Sequence, residues 1–227
     1  MTAPDVSIVV PTLDEAAGLA AHLEALQPLR AQGCEVVVVD GGSRDATVQI
    51  ALGLADAVVS ARRGRGTQLN AGARAARGDV LLFLHADTFL PPGAVPAVRA
   101  ALRGGRHDWG RFDVQIDGRH PLLRTVASLM NWRSRLTGIA TGDQAIFVRR
   151  SRFEAAGGYP EIPLMEDVAL SAALRRATPP ACLRLRAITS GRRWESRGVL
   201  RTVALMWRLR LLFWLGRDAA ALARRYG

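Results

Sequence analysis

A chain of 227 residues with 49% hydrophobic content can bury a full core, and its length suits one large domain or one domain with an appended element. The formal net charge of +11 points towards anionic partners, yet all 31 Lys-plus-Arg positions are arginine. That bias reflects GC-rich codon usage as much as selection for charge, so basicity alone does not argue for nucleic acid. Cys34 and Cys182 stand far apart with no partner at metal-ligand spacing. The opening MTAPDVSIVV lacks the basic region and long apolar region of a secretory signal, so a reducing cytoplasm is expected.

In chain order, the first half alternates two periods. Val6 to Val10 is a β-branched strand closed by Pro11, and Glu15 to Leu29 has apolar residues at helical spacing. Strands follow at Glu35 to Val39, Ala57 to Ser60 and Val80 to Leu84, with helices at Arg44 to Leu54 and Thr67 to Ala76 between them. Such alternation implies right-handed crossovers and a mostly parallel sheet. The second half is less regular. Trp109 to Ile116 reads as an exposed antiparallel strand, Leu122 to Leu136 as a helix and Gln144 to Arg149 as a strand. Met165 to Arg176 is helical, Cys182 to Ile188 is a strand, and Val199 to Arg225 is a long helical tail.

Ligands of parallel sheets sit beyond the carboxyl ends of the strands. Here those ends carry Pro11, Thr12, Asp14 and Glu15 after the first strand, Asp40, Gly41 and Gly42 after the second, and His85, Ala86 and Asp87 after the fourth. Neighbouring carboxylates repel unless a cation or hydrogen-bond donors hold them. Asp87 can take a hard cation such as Mg²⁺ or Mn²⁺, or simply start the turn before Pro91 and Pro92. In VVVVDGGSRDAT the glycines allow a tight turn, Ser43 or Asp45 can cap the next helix, and Asp40 is left free to meet a base or ribose. The pattern is not G-x-G-x-x-G, which argues against a nicotinamide cofactor. Arg62, Arg63 and Arg65 precede a helix whose start suits phosphate.

SIVVPTLDEA, VVVVDGGSRDAT, GRGTQLNAGARAARGDVLLFLHADT and GGYPEIPLMEDVALSAALRR, in this order and spacing, resemble the family 2 glycosyltransferases of the GT-A fold. TGDQAIFVRR and SGRRWESRG further resemble the subgroup labelled rSAM/selenodomain-associated transferase 2. The resemblance runs to about Gly198. It implies a Rossmann-like α/β domain over residues 1–198, with a nucleotide-binding half (1–118), an acceptor half (119–198) and the tail (199–227) appended. It also implies an inverting transferase that uses a nucleotide diphosphate sugar and Mg²⁺ or Mn²⁺. Carried over by position, Pro11, Thr12, Glu15, Asp40 and Gly41 would hold the nucleoside, with Arg65 beside the donor. His85, Ala86 and Asp87 fall on the Asp-x-Asp motif, with Asp87 as the metal ligand. His85 in place of the first Asp is left to supply a nitrogen ligand or a phosphate contact. Asp167 matches the general base, with Glu166 as the second candidate and Asp143 expected at sugar hydroxyls. RRWES, Arg192 to Ser196, resembles the Arg-Trp pair that processive family members use around acceptor and diphosphate, or is a packed Trp beside a surface Arg.

Arg208 and Arg210 interrupt the tail before it reaches the roughly 20 apolar residues of a membrane span. It is expected either to lie in a membrane interface, where a lipid-linked acceptor would be found, or to pack on the body or on a second subunit. Two rivals remain at this stage. A nucleotidyltransferase would want a Gly-rich basic loop where PTLDEAAG is acidic, and a non-catalytic basic module would want aromatics and arginines clustered outside the tail.

Overall fold

Valine-rich runs build the centre of an eight-stranded sheet in the computed structural model, which describes residues 4–226. Residues 1–3 and 227, the extreme ends of the amino-terminal and tail segments read above, lie outside the described residues. β1 (Val6–Thr12), β2 (Glu35–Asp40), β3 (Ala57–Ser60) and β4 (Val80–Phe83) run parallel, joined by α1 (Ala16–Ala31), α2 (Thr47–Leu54) and α3 (Arg65–Ala75). β5 (Thr88–Phe89) and α4 (Ala94–Arg103) follow, then β6 (Trp109–Asp117) and α5 (Leu122–Thr137). A 3-10 turn at Gly142–Gln144 leads into β7 (Phe147–Arg149) and α6 (Arg150–Ala155). α7 (Glu166–Ala177), β8 (Ala181–Ser190), α8 (Arg192–Arg197), α9 (Val199–Trp214) and α10 (Ala219–Tyr226) complete the chain.

The strand order is β3-β2-β1-β4-β7-β6-β8-β5. β2 lies on one side of β1 and β4 on the other, so the chain reverses direction across the sheet between β1 and β4. A crevice opens at the carboxyl ends of strands at such a point. Thr12 pairs with Asp40 in register, and Val9 with Phe83, so the ends of β1, β2 and β4 share one edge.

One face of the sheet buries Ile8, Val36, Val38 and Leu82 against Leu19 and Leu23 of α1 and Val95 and Val98 of α4. The other buries Val9, Val37 and Leu81 against Leu69 of α3 and Leu170 and Leu174 of α7. Each such side chain contributes about 1.5–3 kcal/mol of transfer free energy, which makes the strand ends a rigid base for the loops beyond them.

Several expectations are corrected. β6 is not an exposed strand: it lies inside the sheet between antiparallel β7 and parallel β8, with Phe112 in one core face, Trp109 in the other and Val114 against Leu123 and Val126 of α5. Gln144 belongs to the 3-10 turn, not to β7. The tail is not one long helix, since it breaks at Leu215–Asp218 into α9 and α10. Nor does it hang free. Leu209 of α9 and Leu222 of α10 are buried with Met165 at the start of α7, joined by Val168, Met206 and Phe213.

Candidate functional site

Two loops at the sheet edge are stapled to each other. The Asp14 N–H donates to Ser43 Oγ at 2.9 Å, and the Arg44 N–H to Asp14 Oδ1 at 2.8 Å. The Glu15 N–H donates to Thr47 Oγ1 and the Ala16 N–H to Asp45 Oδ2, so the second loop caps the start of α1. Asp45 also accepts the Thr47 N–H at its own helix, whereas Ser43 serves the first loop and caps nothing in α2. Gln68 of α3 reaches across both strand ends, donating to Thr12 O at 2.8 Å and Val39 O at 3.0 Å.

Asp40 is buried and not free as the sequence suggested. Its carboxylate accepts the N–H groups of Gly42 (2.9 Å) and Ser43 (3.0 Å) and the Ser43 hydroxyl. It therefore builds the Gly41–Gly42 turn, with both oxygens engaged by the turn itself. Thr12 lies beside it, also buried, and Pro11 is half-buried one residue earlier.

Beyond β4, His85, Ala86 and Asp87 are half-buried. Burial pushes the Glu15 carboxyl up and the charge of Asp87 pushes it further, which sets the two acids within each other's field across the crevice between β1 and β4. Arg192, at the start of α8, offsets part of this. The Asp87 carboxylate meets the Thr88 hydroxyl only at 3.5 Å, so its lone pairs are nearly unspent. Among the described residues no three His, Cys, Asp or Glu converge as a ready-made metal cage. Such an edge fits the mode in which a hard cation takes one or two carboxylates and completes its shell with substrate phosphates and water.

His85 Nδ1 lies 3.3 Å from Asp143 Oδ1. Its Nε2 stacks over Gly142, where an added Cβ would come within 2.2 Å, so that glycine is required by the imidazole. Burial alone would raise the Asp143 carboxyl, but the His85 hydrogen bond and the charges of His85, Arg65 and Arg193 outweigh it and hold the group below its ordinary value. The Gly142 N–H donates to Asp167 Oδ2 at 2.8 Å, and Oδ1 accepts the Val168 N–H at 2.7 Å at the start of α7. Each Asp167 oxygen keeps a second lone pair.

Glu166 is buried, with Arg65 Nε 3.9 Å from its Oε1. Burial first, then the neighbouring Asp167 charge, raises its carboxyl. Asn70 fixes the loop ahead of α7 by bonding both the N–H and the carbonyl of Tyr159, and Gly66 admits the Pro160 carbonyl, 2.5 Å from where a Cβ would stand. Arg62 reaches Glu161 at 3.7 Å on the surface and Arg63 is exposed, so of the three arginines before α3 it is Arg65 that faces the acids. The non-glycine residues with left-handed backbone are Asp14, Ala145 and Met165 among the described residues, and each adjoins one of these loops. Strain of this kind gathers where side chains must be aimed.

Trp194, half-buried, packs against the cluster of Val114, Leu123 and Val199. A separate cavity of about 820 Å³ between β6 and α5, lined by Asp117, Arg124, Asn131 and Arg186 among others, contains none of the predicted site residues. The sequence reading passed over Gln68, Asn70, Gly142 and Arg133. It took Arg210 only as a break in the apolar tail, although Arg210 lies in the field of Asp167 and Asp143.

Residues 7–152 match the model of the family described as Glycosyl transferase family 2. The chain belongs to that family. A curated relative, undecaprenyl-phosphate 4-deoxy-4-formamido-L-arabinose transferase of Pseudomonas fluorescens (strain Pf0-1), is 32% identical over 165 residues, covering 65% of this chain and 46% of its own. The chain thus spans under half the length of that relative. Among solved structures, the mannosyltransferase PcManGT from Pyrobaculum calidifontis, in complex with GDP-Man and Mn²⁺, superposes with a TM-score of 0.65 at 22% identity, covering 92% of this chain and 61% of that one. S. aureus TarS 1-349 in complex with UDP-GlcNAc gives 0.66 at 19% identity over 82% of this chain and 58% of that one. These likenesses establish the GT-A fold for the family 2 chain.

Proposed function

We propose that this family 2 member is an inverting glycosyltransferase that takes a sugar from a nucleotide diphosphate sugar, with Asp167 as general base. The reading rests on the sheet edge where the Thr12–Asp40 pair, Asp87 and the α7 start meet, and on the bound GDP-Man and UDP-GlcNAc of its structural relatives. Thr12, Glu15 and the turn that Asp40 holds would orient the nucleoside over Pro11 and Gly41. Arg65 and His85 would face the diphosphate, and Asp143 the sugar hydroxyls. In the transfer, the acceptor oxygen forms a bond to the anomeric carbon as the bond from that carbon to the diphosphate oxygen breaks. The acceptor proton passes to Asp167, and the diphosphate leaves with its electron pair.

Mg²⁺ or Mn²⁺ held by Asp87, with Glu15 nearby, would neutralise charge on the leaving diphosphate when bound. The name of the curated relative, an undecaprenyl-phosphate transferase, supports a lipid-linked acceptor. Peripheral contact of the tail with the cytoplasmic face of a membrane would bring the chain to it. TGDQAIFVRR and SGRRWESRG support the rSAM/selenodomain-associated subgroup.

A thermal-shift panel of nucleotide sugars with and without Mn²⁺ tests the donor reading. One donor should stabilise the chain, more strongly with metal, and Asp87→Asn should abolish the metal increment while leaving the free protein's unfolding unchanged. Equal metal enhancement in the variant removes Asp87 as the ligand, and stabilisation by no donor removes the reading itself.

A further inference from the structure

The helix α9 brings Arg210 into the field of Asp167, as α5 brings Arg133. Arg133 of α5 has its Nε and Nη2, and Arg210 of α9 its Nε, shut off from solvent with no hydrogen-bond partner. Arg111 shows how a buried guanidinium is ordinarily held. Arg111 on the adjacent β6, completely buried, bonds Asp113, Ser134 Oγ and the Asn131 carbonyl. Orphaned donors on a buried charge are costly, and two such cations side by side more so. Burial holds Arg133 down to about 10, and the Arg210 charge adds to the effect.

The carboxylates nearby attract them through space but bond none of these donors. Asp167 already accepts N–H groups on both oxygens, and Asp143 is bonded to His85 in the field of Arg65 and Arg193. Unspent N–H donors of two cations thus gather on two touching helices. Paired guanidinium groups match the oxygens of a phosphate in charge and in fork geometry. Leu209, buried against Met165, fixes the turn of α9 that carries Arg210.

Resting on the transferase reading, we propose that Arg133 and Arg210 bind a phosphate group of the acceptor, holding it beside Asp167. The tail is then part of the acceptor site. The phosphate belongs either to a lipid, whose chain would run onto the apolar outer face of α9, or to a soluble phosphorylated acceptor.

The test uses the full chain, calorimetry with glycerol 3-phosphate, and flotation on phosphatidylcholine vesicles with and without a prenyl monophosphate. Phosphate binding should weaken at least tenfold in Arg133→Gln and in Arg210→Gln, and not in Arg103→Gln on the distant α4. The free variants should unfold at no lower temperature than the parent, since one of two repelling charges is gone. Should either fail to fold, Arg133→Lys and Arg210→Lys keep the charge without the fork, and the expected result is intermediate affinity. Flotation that depends on both arginines and on prenyl phosphate identifies the lipid source, and glycerol 3-phosphate binding alone identifies the soluble one. The proposal is overturned if phosphate binding is lost in Arg65→Gln but kept in both glutamine variants, which would place the ion in the donor site, or if neither phosphate binds. Nucleotide-sugar stabilisation is measured in the same variants and should persist, so a failure of the donor reading is seen separately.

Discussion

Asp167 is held by two backbone N–H groups and lies at the amino end of α7, an arrangement that aims a carboxylate without moving parts. Asp167→Asn keeps the shape and loses the basic oxygen. Turnover with a hydroxyl acceptor should fall by about 10²- to 10⁴-fold while donor affinity holds, read as kcat against donor Kd. A rate near that of the parent would show that the attacking oxygen is already anionic, as a phosphate oxygen is, and would take the base role from Asp167. A different residue should govern acid stability. His22, buried in α1 with its ring edge-to-face against Phe89, has no hydrogen-bond partner on either nitrogen, and burial holds it down to about 4 from 6.5. A depressed histidine is neutral in the fold, so the unfolded chain takes the proton first as pH falls below 6.5. Stability from this group is complete above that value and lost towards 4, about 2 kcal/mol between pH 7 and pH 5. His22→Leu should lose correspondingly less over that interval in urea unfolding at the two pH values. The same loss in both proteins would show that the acid sensitivity lies elsewhere.

Among the elements, α3 packs tightly on the sheet where Gly72 lets it approach. A Cβ on Gly72 would stand 2.3 Å from Val9 Cγ1 and 2.8 Å from Val39 Cγ2, both in the centre of the sheet. Gly72→Ala should therefore cost about 1–3 kcal/mol through overpacking, despite the better helix propensity of alanine. Denaturant unfolding measures it, and a neutral or stabilising result would mean that the helix can lift without loss. The same element shows what the sequence could disclose. The alternation of valine strands with helices, and the acids at strand ends, were legible because period and position are local properties. α4 was missed: Val95, Val98 and Leu102 have helical spacing, but Pro91, Pro92 and Pro96 disguise the start as a turn. β6 was misjudged because its alternation was taken for a wet face, which α5 in fact covers at Val114 and Ile116. Gln68, Asn70 and Arg133 carry no motif, and their partners lie far along the chain. The closing of Asp40's oxygens by Gly42 and Ser43 could be drawn only once the turn itself was seen.

At the scale of the whole molecule, the tail and α5 leave an apolar surface uncovered. Trp207 is 71% and Trp214 82% exposed on α9, with Leu200 and Leu211 on the same face, and Trp132, Leu129 and Leu136 are exposed on α5, which touches α9. Exposed arginines at 201, 208 and 217 border it, and the chain as a whole carries +11. No helix among the described residues is long and apolar enough to cross a membrane. Aromatic side chains immersed at headgroup depth with arginines on lipid phosphates would bind through both contributions at once, so binding should require anionic lipid and weaken as salt screens the charges. Removing the tail is a poor test, because it would also uncover Met165 and Val168 on α7. Trp207→Ser with Trp214→Ser in the full chain changes only the outer face. The parent should float with phosphatidylglycerol-containing vesicles at low salt and be released as salt rises towards 0.5 M, about where the screening length falls to some 4 Å. The double variant should stay behind in both, with unfolding unaltered. If the parent ignores anionic vesicles at low salt, the surface serves another purpose, and the acceptor is a soluble molecule that reaches Asp167 from water.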